Sequence, residues 1–123
     1  MTFEILAYAM TVAAAVLGLR FVFAGASILR EWGIETTTGA LVVSRRLGAV
    51  YLGLALAFFL GRSAPPTELR SAFCLGVCAM CTLLAGLGGF ELLAGRARRR
   101  IVVSVVMELV LAAALGWFGW RGR

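Results

Sequence analysis

Residues 44–62, SRRLGAVYLGLALAFFLGR, decide the fold class. The segment opens on paired arginines, runs apolar from Leu47 to Leu60, and closes on Arg62 just before Pro65 and Pro66. An apolar run of that length with basic collars is the pattern of a helix that crosses a bilayer. Small residues recur at every fourth position, Ala49, Gly53, Ala57 and Gly61, so one stripe of this helix lacks bulk and predicts close approach of a second helix. Extended one step back, the stripe reaches Arg45, which places a cation where helices are expected to pack.

Composition generalises the point. The chain has 123 residues, 62% of them hydrophobic, and a mean hydropathy of +0.97, well beyond the roughly half apolar content of a soluble domain. Every cation is Arg and every anion is Glu; His, Lys, Asp, Asn and Gln do not occur. That excludes an imidazole base, a His-ligated metal, a Ser-His-Asp triad and a lysine Schiff base, and it points away from an enzyme and from any cofactor. The net charge of +6 raises nucleic acid as a partner. The arginines sit instead at the edges of apolar runs, where they set topology and meet lipid phosphate, so no nucleic-acid partner is expected.

Outward from the opening stretch, three more runs are long enough, at about 1.5 Å per residue, to cross a core of about 30 Å. The expected spans are residues 5–24, 40–60, 69–94 and 101–120, giving an all-α, polytopic membrane protein in which four transmembrane helices form one up-down bundle over residues 1–123. Glu4 stands where a signal peptide carries basic residues, so the first run is expected to stay as a span. Residues 27–39, with Trp32 among charges, suit an interfacial loop or a short surface helix. Pro65 and Pro66 suit the start of the third helix, and Gly86, Gly88 and Gly89 permit close packing or a bend late in it. Trp117, Phe118 and Trp120 form an aromatic belt at the end of the fourth.

Arginine counting sets the orientation. One side carries Arg62, Arg70, Arg121 and Arg123, the other Arg30, Arg45, Arg46, Arg96, Arg98, Arg99 and Arg100. The second is the expected cytoplasmic side, which puts both termini outside the cytoplasm.

Five ionisable residues lie within the apolar runs: Arg20, Arg45, Arg46, Glu91 and Glu108. Each costs roughly 2.5–3.5 kcal/mol to insert unless it is paired or reaches the interface. Alternating helix direction brings all five to one height, on the order of 5–10 Å inside the cytoplasmic boundary. Ser104, Glu108, Ala112 and Gly116 form a second small-residue stripe, so Arg45 is expected to meet Glu108 between the second and fourth spans. Arg46, about 100° round the helix, is expected to reach lipid phosphate, and Arg20 to find Glu91 or Glu108. Such a layer is either a structural ion network that fixes helix register or a proton or anion site. Three arginines against two glutamates nearly neutralise one another, which favours the structural role.

Cys74, Cys78 and Cys81 share one face of the third span. Thiolates suit a soft metal, but one straight helix spreads the outer sulfurs over about 10 Å, so the expected role is packing beside Ala85 and Gly89.

The order GLRFVFAG at residues 18–25, a glycine-containing polar segment, RRLGAVYLGLALAFFLGR at residues 45–62 and a Glu in the last span resembles the DoxX-like group of small bacterial four-helix membrane proteins. The resemblance implies an inner-membrane bundle, often an accessory protein or one linked to quinone or thiol redox systems. Arg20, Arg45 or Arg46, and Gly48 match its pattern; the long charged first loop and the three-cysteine face depart from it. The functional expectation is a non-enzymatic membrane protein acting through packing, with the bilayer and a membrane-protein partner or further copies of itself as its associates. The alternatives are a small proton-coupled transporter using Glu108 and an intramembrane arginine, and a thiol-dependent redox or metal protein.

Overall fold

A computed structural model describes residues 2–121; Arg123, counted above for orientation, lies outside them. Five helices follow in order: α1 Phe3–Phe23, α2 Gly25–Trp32, α3 Thr38–Leu60, α4 Glu68–Leu93 and α5 Ile101–Arg121. No strand occurs among the described residues. All but α2 are long and apolar enough to cross a membrane, so the chain is a multi-pass membrane protein. The spans begin and end within about two residues of the sequence expectation, and the segment after the first span takes the helical one of its two expected forms, from Gly25 to Trp32. Pro65 and Pro66 lie before α4 instead of in its first turn, because Thr67 caps that helix.

The helix starts have a common chemistry. Thr2, Thr37 and Thr67 are extended N-cap residues whose hydroxyls accept from the backbone N–H of Ile5, Ala40 and Arg70, respectively, satisfying a donor that the first turn otherwise leaves free. Two stops are equally explicit. Gly33 and Gly95 both have φ of 78°, the left-handed conformation that closes a helix with a Schellman-type bond. Ile34 N–H donates to Leu29 O at 2.8 Å and Arg96 N–H to Glu91 O at 3.0 Å. An added Cβ at Gly95 meets nothing within 4 Å, so Gly95→Ala tests backbone strain alone. It is expected to cost about 1–2 kcal/mol, read as a lower thermal midpoint of the detergent-solubilised protein.

The helices form two compact units, one through Arg62 and the other from Ser63. In the first, α1 and α3 pack antiparallel, with Gly18 against Gly48 and Tyr8 edge-on to Phe59. The buried face of α3 is Ser44, Gly48, Ala55 and Phe58, set against Leu6, Met10, Ala14, Gly18 and Phe21 of α1. Ala49, Gly53 and Ala57 are exposed, and Gly61 is the C-cap of the helix. The close-packed stripe in this unit therefore lies one residue, or about 100°, round from the one that the sequence periodicity singles out.

In the second unit, α4 and α5 pack antiparallel. Ser71, Cys74, Val77, Cys81 and Ala85 are buried on α4, and Ile101, Ala112, Leu115 and Gly119 on α5. Helix α4 runs unbroken past its glycines. Gly88 serves close packing, since a Cβ there would lie 2.9 Å from Val105 Cγ2, while Gly86 and Gly89 face open space.

Candidate functional site

The charged residues within the spans resolve into local arrangements, one in the first unit and two in the second. In the first unit, Ala24 alone separates α1 from α2, with a non-helical φ of −130°. The bend there sends α2 back alongside the last turn of α1. Ile28 and Leu29 are buried, and Trp32 meets Phe21 edge-on with ring centroids 5.7 Å apart. Tyr51 of α3 stacks on the same Phe21 ring at 5.7 Å. These contacts seat Glu31, whose Oε1 accepts from Arg20 Nη2 at 3.0 Å. Arg20 therefore has its anion eleven residues away, where the sequence pointed to Glu91 or Glu108. Glu31 escaped notice because it lies outside every apolar run and reaches Arg20 only through a one-residue break.

Arg45 and Arg46 are both exposed on α3, and neither has an acidic partner within the first unit. Their neighbour Ser44 is buried and donates to Phe21 O at 2.8 Å, so the polar side chain that holds α3 to α1 is the hydroxyl preceding the two cations. At the other end of this unit, Arg62 lies over the Phe59 ring, 4.2 Å from its centroid, and near Tyr8.

In the second unit, Glu91 forms a two-pronged pair with Arg96, whose Nε and Nη2 both donate to its carboxylate. The guanidinium also lies 5.4 Å from the Phe90 centroid. The neighbouring carboxylate pushes Arg96 further above its already high ordinary value, so Arg96 stays charged at any physiological pH. Glu108 is half-buried and accepts from Ser104 Oγ at 3.0 Å, one turn earlier on its own helix. Ala112, the next member of that stripe, is buried, and Gly116 has its added Cβ position 3.3 Å from Cys78 Sγ.

The three cysteines lie on the α4 face that packs on α5. Cys74 and Cys81 are buried free thiols, and Cys78 donates to Ala112 O at 3.1 Å. Their position makes them interhelical contacts, small and polarizable enough to let the two backbones approach. Among the described residues no group of three or more His, Cys, Asp or Glu side chains is placed to hold a metal ion. No family model matches the chain, and no curated protein or solved structure is significantly similar to it.

Sequence reasoning missed the two serines that cross the helix pairs. Ser71 Oγ donates to Gly119 O in the second unit as Ser44 Oγ does to Phe21 O in the first. The available signal was a serine separated by three residues from a small residue in S-x-x-x-G at Ser44–Gly48, and by two from a cysteine at Ser71–Cys74. An open cleft of about 670 Å³ is lined by Glu68, Ser71, Ala72 and Leu75. With the Ser71 hydroxyl committed to Gly119, Glu68 supplies its remaining polar side chain.

Proposed function

We propose that this chain is a non-enzymatic integral membrane protein that works through helix packing, as an accessory or assembly factor or as a self-associating bundle. The observation that carries this reading is where the polar groups of the spans are spent. Ser44, Ser71 and Cys78 donate to backbone carbonyls of the neighbouring helix, and Arg20 and Glu91 form ion pairs that brace helix ends. In a bilayer an unsatisfied polar group is costly, so such bonds fix helix register. The outward faces carry Val43, Leu60, Leu93 and Val103, surfaces suited to lipid or to another membrane helix. The resemblance to the DoxX-like group agrees with this role and with a bacterial inner membrane, and the arginine distribution over the loops favours both termini outside the cytoplasm.

The test is mild detergent extraction of the tagged chain from its native membrane, followed by mass determination of the intact complex. A stoichiometric partner or a defined oligomer is expected; a bare monomer would remove the accessory and self-association readings together.

One observation favours a second reading. Glu108 is a half-buried carboxylate inside a span, and its described hydrogen bond comes from a neutral hydroxyl where a structural ion pair would supply a cation. A proton-coupled carrier would use such a group. With the purified chain in liposomes, the packing role predicts no flux driven by a pH gradient. A flux that disappears in Glu108→Gln would replace it by the carrier.

A further inference from the structure

We propose that Arg98, Arg99 and Arg100 form a preorganised binding turn for the phosphate of an anionic phospholipid headgroup. The α4–α5 connection holds four arginines in five residues, Arg96 to Arg100. Among the described residues only Arg96 of these four meets an acid, Glu91. Arg98, Arg99 and Arg100 are exposed, no acidic partner meets them among the described residues, and the first turn of α5 contains no acid. Three like charges on consecutive residues repel one another, and the fold leaves that repulsion uncompensated.

The turn is nevertheless closed by backbone hydrogen bonds at both ends. It is fixed upstream by the bond from Arg96 N–H to Glu91 O and downstream by bonds from Ile101, Val102 and Val103 N–H to the carbonyls of Arg98, Arg99 and Arg100, at 3.0, 3.0 and 3.3 Å. The backbone acceptors are used internally, which leaves the guanidinium donors as the groups offered outward.

Position identifies the anion. Arg100 directly precedes Ile101, which is buried and begins a candidate span, so a bilayer around that span brings the turn to the level of lipid phosphate. Planar guanidinium forks match phosphate oxygens with two parallel bonds. Phospholipid is concentrated at that depth, and a net-anionic headgroup offsets the excess charge where a zwitterionic one does not.

The experiment uses the full chain in nanodiscs made from equal parts phosphatidylglycerol and phosphatidylcholine, with retained lipid counted by native mass spectrometry after release. The wild type is expected to retain phosphatidylglycerol preferentially, and removal of each arginine to reduce that preference by roughly five-fold. Arg98→Gln/Arg99→Gln/Arg100→Gln should bring it to near parity, whereas Arg30→Gln, at an exposed cation of the first unit, should leave it intact. The single variant Arg99→Gln, checked for native helicity by circular dichroism, covers failure of the triple variant to fold and should show the one-residue loss. Equal retention of both lipids by the wild type overturns the proposal, and so does an undiminished preference in folded Arg99→Gln. An equal fall in Arg30→Gln would reduce the effect to net charge. Loss of the preference in millimolar inorganic phosphate would assign the turn to a soluble anion and overturn the lipid headgroup.

Discussion

Gly48→Ala is expected to destabilise the detergent-solubilised protein by about 1–3 kcal/mol, while Gly53→Ala, five residues along the same helix, leaves stability unchanged or slightly raised. A methyl group at Gly48 would lie 2.6 Å from Val22 Cγ2, 2.7 Å from Gly18 O and 3.0 Å from Phe21 Cβ. The valine methyl can rotate, but the Gly18 carbonyl belongs to a helix backbone and moves only if α1 and α3 separate. Separation also stretches the neighbouring bond from Ser44 Oγ to Phe21 O, one turn away on the same face. At Gly53 a methyl group meets nothing within 4 Å, so alanine retains its helix preference of about 0.8–1.0 kcal/mol over glycine. Denaturation midpoints of the two variants and the wild type decide the matter. Equal losses at both positions would place the α3 packing face on the Ala49–Gly53–Ala57 stripe and contradict the α1–α3 interface described above.

This pair of substitutions also marks the boundary of what the sequence discloses. The four spans were legible because twenty or so apolar residues in a row have one physical reading in an aqueous cell, and basic and glycine-bearing turns bracket them. The helix face was not. Residues 44–61 contain two interleaved sets at four-residue spacing, Ser44–Gly48 and Ala49–Gly53–Ala57–Gly61, and an apolar helix in lipid offers no contrast of polarity to choose between them. Side-chain size alone favoured the longer set, as the face toward the fourth span, whereas within the first unit a buried serine bonded to a carbonyl turns the shorter set toward α1. The same limit applies to charge partners. Glu91 and Arg96 are close in sequence and became a pair through the turn at Gly95. Arg20 and Glu31 required the break at Ala24, which is marked in the sequence by a single following glycine, Gly25, inside an apolar run.

That ion pair supplies the second test with a large expected effect, and its direction is informative. Arg20 and Glu31 are each about two-thirds buried, with side-chain exposures of 36% and 33%. Such a pair exceeds the roughly 0–1 kcal/mol of a fully exposed salt bridge. The two single variants are not equivalent. Glu31→Gln leaves a guanidinium in the last turn of an apolar span, where an unpaired cation costs on the order of 2.5–3.5 kcal/mol before it reaches an interface. Arg20→Met leaves a carboxylate on α2, a short helix with a polar side, and adds an apolar side chain to α1. A loss of roughly 1–3 kcal/mol is therefore expected for Glu31→Gln, with a smaller one for Arg20→Met. The double variant should resemble Arg20→Met, since the stranded cation is then gone, giving a coupling within the 0.5–3 kcal/mol typical of groups in contact. Chemical denaturation of the four proteins in one detergent measures this cycle. Additive losses would mean that the pair does not hold α2 against α1, and the aromatic contacts of Trp32 and Tyr51 on Phe21 would then be what fixes the elbow.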